Sequence, residues 1–199
     1  MKATFLVSAL LAFGLASASA QIRTREASRQ RLFDGRSLVG WSPEGAATWR
    51  VDGGSIVGDA GGDGWLRSER QFADFSLRIE FRNSAGGNSG VFLRASRDSN
   101  RADPSNPASG YELQINNDDT AWATGSIENF IQRLTPVAPS PNAWHSYQVD
   151  VHGDHLVAVL DGTTVLDGHD PRFQTGYIGL QHHTGSAIAF RQITIQVTQ

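Results

Sequence analysis

The sequence predicts an all-β protein, a two-sheet antiparallel sandwich of the jelly-roll type. Three observations predict it. Apolar and polar residues alternate with period two in one run after another, as half-buried strands require. Gly, Asp and Asn separate those runs at short intervals, where turns need them. No window after residue 31 sustains a helical period, so no crossover helices are available to build a parallel sheet.

The chain opens on a targeting segment. Met1-Lys2 carries the early positive charge, Ala3 to Gly14 is almost unbroken apolar sequence, and Ala18-Ser19-Ala20 is a small-residue cleavage site. Residues 1–20 therefore read as a secretory signal peptide, with an apolar run too short to span a bilayer. Gln21 to Arg31, with Arg23, Arg25, Arg29 and Arg31, reads as a flexible basic arm. The single jelly-roll domain is then 32–199, enough chain to bury roughly 70% of its extended surface in one core. A secreted or periplasmic protein is expected, with no membrane contact after signal cleavage.

The strands follow in order. Trp49-Arg50-Val51 and Ile56-Val57 flank the turn Asp52-Gly53-Gly54. Phe75, Leu77, Ile79 and Phe81 share one face of a strand, with Ser76, Arg78, Glu80 and Arg82 on the other. Val91 and Leu93 oppose Phe92 and Arg94; Tyr111, Leu113 and Ile115 oppose Glu112, Gln114 and Asn116. Tyr147, Val149 and Val151 alternate with Gln148 and Asp150. The run His155–Leu160 meets Thr163–Leu166 across Asp161-Gly162, a hairpin signal. Ile178 and Leu180 alternate with Tyr177, Gly179 and Gln181. Ile188 and Phe190 share one parity and Ile193 and Ile195 the other, which a bulge near Arg191-Gln192 reconciles. The pattern gives about eleven to thirteen short strands. Asp98 to Ser109 and Leu134 to Asn142 are long surface loops of the kind that border sites.

Composition excludes several functions. Without cysteine there is no disulfide framework, no thiolate metal site and no cysteine nucleophile. Lys2 is the only lysine, so the mature chain has neither a Schiff-base nor a general-base lysine. The net charge of -3 offers no basic face for nucleic acid. There is no Gly-x-Ser-x-Gly elbow and no Glu-x-Asp-x-x-Glu pattern for a two-carboxylate retaining mechanism. Adjacent His182 and His183 on a strand point to opposite faces, a poor metal pair. No metal and no cofactor are expected.

The polar strand faces carry the functional expectation. Glu80, Arg94, Glu112, Gln114, Gln181 and His183 converge on one surface if their strands are neighbours in one sheet. Planar hydrogen-bonding groups beside an aromatic platform suit a carbohydrate, and Trp122 and Phe130 are candidates for the platform. The glycine-rich Gly86-Gly87-Asn88-Ser89-Gly90 precedes a strand rather than a helix, so it suits close approach of backbone to ligand rather than a phosphate cradle.

A set of motifs, in order along the chain, resembles a known family. Leu32-Phe33-Asp34-Gly35-Arg36-Ser37-Leu38 with Gly40-Trp41 resembles its opening, and Asp74 to Arg82 its central strand. Gly87-Asn88-Ser89-Gly90-Val91-Phe92-Leu93-Arg94 resembles its most distinctive segment. Gly110 to Ile115, Thr124-Gly125-Ser126-Ile127, Gly179-Leu180-Gln181 and Phe190-Arg191 continue the series. Together they are similar to the 3-keto-disaccharide hydrolases, also described as 3-keto-glucoside 1,2-lyases and 3-keto-2-hydroxy-glucal hydratases, over about residues 31–197. The resemblance implies a concanavalin A-like jelly roll of the lectin and glucanase type, acting on an oxidised sugar, a 3-keto-glycoside. The chain departs from the family's Leu-Gln-Asp-His-Gly, reading Leu180-Gln181-His182-His183-Thr184, and from its usual acidic position after Ile115, reading Asn116-Asn117-Asp118.

The implied reaction needs a base for the C2 proton, donors for the C3 enolate oxygen and an acid for the leaving oxygen. His183 or Glu112 is assigned as base, with Glu80 as the reserve acid. Arg94 and Asn88 are assigned to the enolate oxygen, and Gln114 and Gln181 to the sugar hydroxyls. The alternatives are a non-catalytic, lectin-like carbohydrate-binding module and an accessory domain that docks to a larger enzyme. A monomer is expected.

Overall fold

A computed structural model describes residues 29–96 and 110–198. The predicted signal peptide, most of the basic arm and the Asp98–Ser109 loop lie outside those residues. The chain divides into two units, residues 1–30 and 31–199, and the sandwich is the second.

Eleven strands make up the described fold, with no helix among them: β1 (Gln30–Arg31), β2 (Trp41–Asp52), β3 (Ser55–Phe72), β4 (Phe75–Asn83), β5 (Ser89–Ala95), β6 (Tyr111–Ile115), β7 (His145–His152), β8 (His155–Leu160), β9 (Thr163–His169), β10 (Gly176–His182) and β11 (Ile188–Val197). The main path of the sheet runs β6-β5-β10-β3-β11-β4-β7-β8-β9, with β2 on β3. Its hinge is β3. The first part of β3 pairs with β11 (Phe190 opposite Ile56), and the second part pairs with β10 (Leu180 opposite Leu66). One 18-residue strand thus belongs to both layers of the sandwich.

Where β3 passes between layers, β2 bends with it, and the register slips between Gly45 and Ala47 and between Thr48 and Trp49. Gly45 and Gly61 sit at the bend with φ of +84° and +86°. A Cβ at either would lie within 2.7 Å of the opposing backbone, so only glycine fits.

Alternation explains the core. Leu66, Val91, Leu93, Leu113, Ile178 and Leu180 from one layer meet Ile56, Leu77, Ile79, Val149, Phe190 and Ile195 from the other in a single buried cluster. The Tyr147 hydroxyl crosses the sandwich to donate to the Gln114 carbonyl (2.9 Å). Complete burial pushes that phenol far up, since its anion would be desolvated. The expected bulge in the last strand is present: the β11–β4 register shifts between Arg191 and Thr194, with Gln192 at φ +52°. It returns Ile193 and Ile195 to the core after Phe190. The opening motif is structural, with Phe33 and Trp41 buried and the Trp41 indole N–H bound to the Leu32 carbonyl (2.8 Å).

Candidate active site

The outer face of the β6-β5-β10-β3 layer carries a compact polar and aromatic surface. Register places Trp65 opposite Gln181 and Arg67 opposite Gly179 across β3 and β10. It places Gly179 opposite Phe92 across β10 and β5, and Gly90 opposite Gln114 and Phe92 opposite Glu112 across β5 and β6. Neighbouring strands lie about 5 Å apart, so side chains on these rows touch.

Two glycines let neighbouring side chains lie down across the sheet. A Cβ at Gly90 would be 2.4 Å from the Glu112 Oε1, and one at Gly179 would be 2.2 Å from the Trp65 ring. Glu112 therefore lies over β5 and Trp65 over β10, with Phe92 edge-on to Trp65 at 5.6 Å between ring centres. Gln114, beside Glu112, accepts from the Ile115 N–H through Oε1 (3.1 Å), which leaves its amide hydrogens as donors. Asn88 and Gln181 each hold a buried side-chain oxygen with no hydrogen-bond partner. Glu112, Gln114, Trp65 and Phe92 are shielded, while Asn88, Gln181 and Tyr177 form a half-buried margin. Arg67 closes one end: its guanidinium lies 4.3 Å from the Tyr177 ring centre, and its Nε donates to Glu44 (3.1 Å).

His183 follows β10 in an exposed turn, its Nδ1 3.1 Å from the Thr184 carbonyl. Asp63 fixes the turn by accepting from the Thr184 N–H (2.7 Å) and hydroxyl (2.6 Å). Those donors, aided by the nearby imidazoles, hold the Asp63 carboxyl below its usual range.

The structure brings together Glu112, Gln114, Asn88 and Gln181, with His183 one residue past the end of β10. It separates the others. Glu80 lies on β4, in the other layer, on the face away from the core, and binds Arg191 (2.6 Å). Arg94 leaves the shared surface because its φ of +53° breaks the alternation of β5. Its guanidinium donates to the Ala73, Gly153 and Phe173 carbonyls and to Asp74. Burial pulls it below its ordinary value, and Asp74 opposes that. The expected convergence of Glu80 and Arg94 with Glu112 is therefore corrected. Trp122 is half-buried in the segment after β6, its backbone N–H donating to the Asp119 carboxylate (2.8 Å). Phe130 packs edge-on against Tyr111 and Phe173 beside the core. The aromatic pair on the polar face is instead Trp65 and Phe92. Trp65 carried a usable signal, sharing parity with Arg67 around the core residue Leu66.

Comparison with known proteins decides the relationship. A family model described as the 3-keto-alpha-glucoside-1,2-lyase-like domain matches residues 28–196. The chain belongs to that family. A curated relative, a 3-keto-disaccharide hydrolase of Bacteroides thetaiotaomicron, is 26% identical over 166 residues, 69% of this chain. The chain spans 57% of that relative's length. Among solved structures, a candidate glycosyl hydrolase from Parabacteroides distasonis superposes with a TM-score of 0.75 at 20% identity, covering 87% of this chain and 95% of that one. The carbohydrate-binding module CBM66 from Bacillus subtilis gives 0.60 at 18%, covering 79% and 95%. These likenesses bear out the jelly-roll sandwich expected for a member of the lyase-like family.

Proposed function

We propose that this lyase-like family member cleaves 3-keto-glycosides, with Glu112 as the general base. The C3 ketone acidifies the C2 proton. Glu112 takes that proton, the electron pair forms the enolate, and the C1–oxygen bond breaks to release the aglycone, whose oxygen takes up a proton. Water then adds at C1 of the unsaturated sugar while C2 regains a proton, so the net reaction is hydrolysis. The carboxamides of Asn88, Gln114 and Gln181 supply N–H donors to the C3 oxygen and to ring hydroxyls. His183, in the exposed turn after β10, serves the leaving oxygen in this reading. The observation that carries this reading is the Glu112 carboxylate laid over Gly90 beside these amides. The chain works outside the cytoplasm after loss of residues 1–20, as a monomer.

Release of aglycone from a 3-keto-glucoside tests the proposal. Glu112→Gln should slow turnover at least ~100-fold, as loss of a general base does. A rate near that of the unchanged protein would overturn the assignment. The half-buried Tyr177 ring, packed against Trp65 and Phe92 on this face, favours one second reading, a sugar-binding module. Calorimetric binding of the 3-keto-glucoside by the unaltered protein, with no product formed, would favour that reading.

A further inference from the structure

The residue between Gln181 and His183 occupies a different environment from either. His182 is 1% exposed and turns to the inner side of β10, edge-on to Trp49 at 6.3 Å. Its Nδ1 lies 3.0 Å from the Gly62 carbonyl oxygen and its Nε2 3.2 Å from that of Ser186. A carbonyl oxygen only accepts, so the ring nitrogen that carries the proton donates to the carbonyl it faces, Ser186 from Nε2 or Gly62 from Nδ1. His182 thus sits between β3 and the turn His183–Ser186, which the Ser186 N–H closes on the His183 carbonyl (3.0 Å).

Ser186 passes the constraint on. It is buried, and its hydroxyl oxygen accepts the backbone N–H of Asn88 (2.9 Å). Asn88 lies 98 residues earlier in the chain, so no local geometry holds it there. A second link runs beside the first: the Ser89 hydroxyl donates to the Gln181 carbonyl (2.7 Å). Ser84 and Ala187 exchange two further bonds, Ser84 N–H to the Ala187 carbonyl (2.9 Å) and Ala187 N–H to the Ser84 hydroxyl (3.1 Å). The glycine-rich loop is thus laced to the turn after β10, and His182 is the buried side chain that pins that turn from behind.

We infer that His182 is a positioning residue for the polar face. It holds Ser186, Ser186 holds the Asn88 backbone, and the Asn88 carboxamide is thereby set beside that of Gln181. His182 itself does not reach the face. The inference rests on the proposed reaction for its kinetic consequence alone, since the hydrogen-bond relay is a property of the free protein.

Two measurements on the full chain test it. The first is the side-chain amide spectrum of 15N-labelled protein without ligand. Ser186→Ala and His182→Ala should each move the Asn88 NH2 resonances, and His182→Gln, which keeps a donor, should return them toward their original positions. Unmoved Asn88 resonances in both alanine variants would overturn the inference. Should His182→Ala fail to fold, His182→Phe, which fills the space without a donor, replaces it under the same expectation, and unmoved Asn88 resonances there would overturn the inference. The second is turnover of a 3-keto-glucoside. Ser186→Ala and His182→Ala should each lower kcat by ~10-fold or more with KM little changed, as small misplacements of positioning groups do. The double variant should be no slower than the worse single one, because both act along one path. Additive losses would overturn the relay. If the unaltered protein releases no aglycone, the proposed reaction fails while the amide spectra still judge His182.

Discussion

Gly90 takes its importance from a side chain on the next strand. The Glu112 carboxylate occupies the space that a side chain at Gly90 would fill, so the glycine and the acid form one device. Gly90→Ala should keep the fold, because what it strikes first is the end of a flexible side chain. It should displace Glu112 and cut turnover at least ~10-fold, since a base out of reach of its proton is lost. Turnover with circular dichroism checks both halves of that expectation. At this scale the sequence was informative where alternation held. Glu112 and Gln114 share parity on β6, and Gln181 follows the same rule on β10. Arg94 misled because a left-handed residue inside a strand cancels parity, and nothing in Leu93-Arg94-Ala95 announces it.

At the scale of the element, period two states which residues share a face but not which layer the strand joins. Glu80 was legible as a surface residue of β4, yet pairing of β4 with β11 and β7 puts it across the sandwich from Glu112. That placement depends on contacts between residues 111 positions apart, such as Arg191 and Glu80, which no short motif encodes. The bulge in β11 was legible because two apolar parities collided within one run. Its role gives a prediction. Deleting Gln192 should remove the bulge and leave a regular ladder in which Phe190, Ile193 and Ile195 share one parity and all still face the core. Turning Ile193 and Ile195 to solvent would instead cost about 1.5–3 kcal/mol each, enough in sum to threaten a domain of ordinary stability. A retained cooperative thermal transition is the expected result, and its loss would contradict this parity.

At the scale of the whole molecule, Arg94 gathers distant segments. Its donors reach Ala73 and Asp74 between β3 and β4, Gly153 between β7 and β8, and Phe173 before β10. The guanidinium side chain is fully enclosed, and the fork geometry cannot be reproduced by lysine. Arg94→Ala should destabilise the protein by about 1.5–3 kcal/mol, because it removes the charged donor shared by three carbonyls and Asp74, although Asp74 keeps the Gly153 N–H. Denaturant unfolding measures this, and a loss under 1 kcal/mol would contradict the role. The two-layer architecture was legible from strand count and turn spacing, whereas this buried knot was not, because its acceptors are backbone atoms that carry no residue identity.

The position of β11 has a consequence for how the chain is made. The strand lies between β3 and β4, in the middle of its layer, yet it is translated long after both. A nascent polypeptide that has not yet reached Ile188 has a slot down the centre of that layer, with Ile56 and Phe81 facing an empty rung. Completion therefore waits for the ribosome to pass that point, and a product clipped ahead of it is not a shortened version of the molecule but one with its middle plank missing.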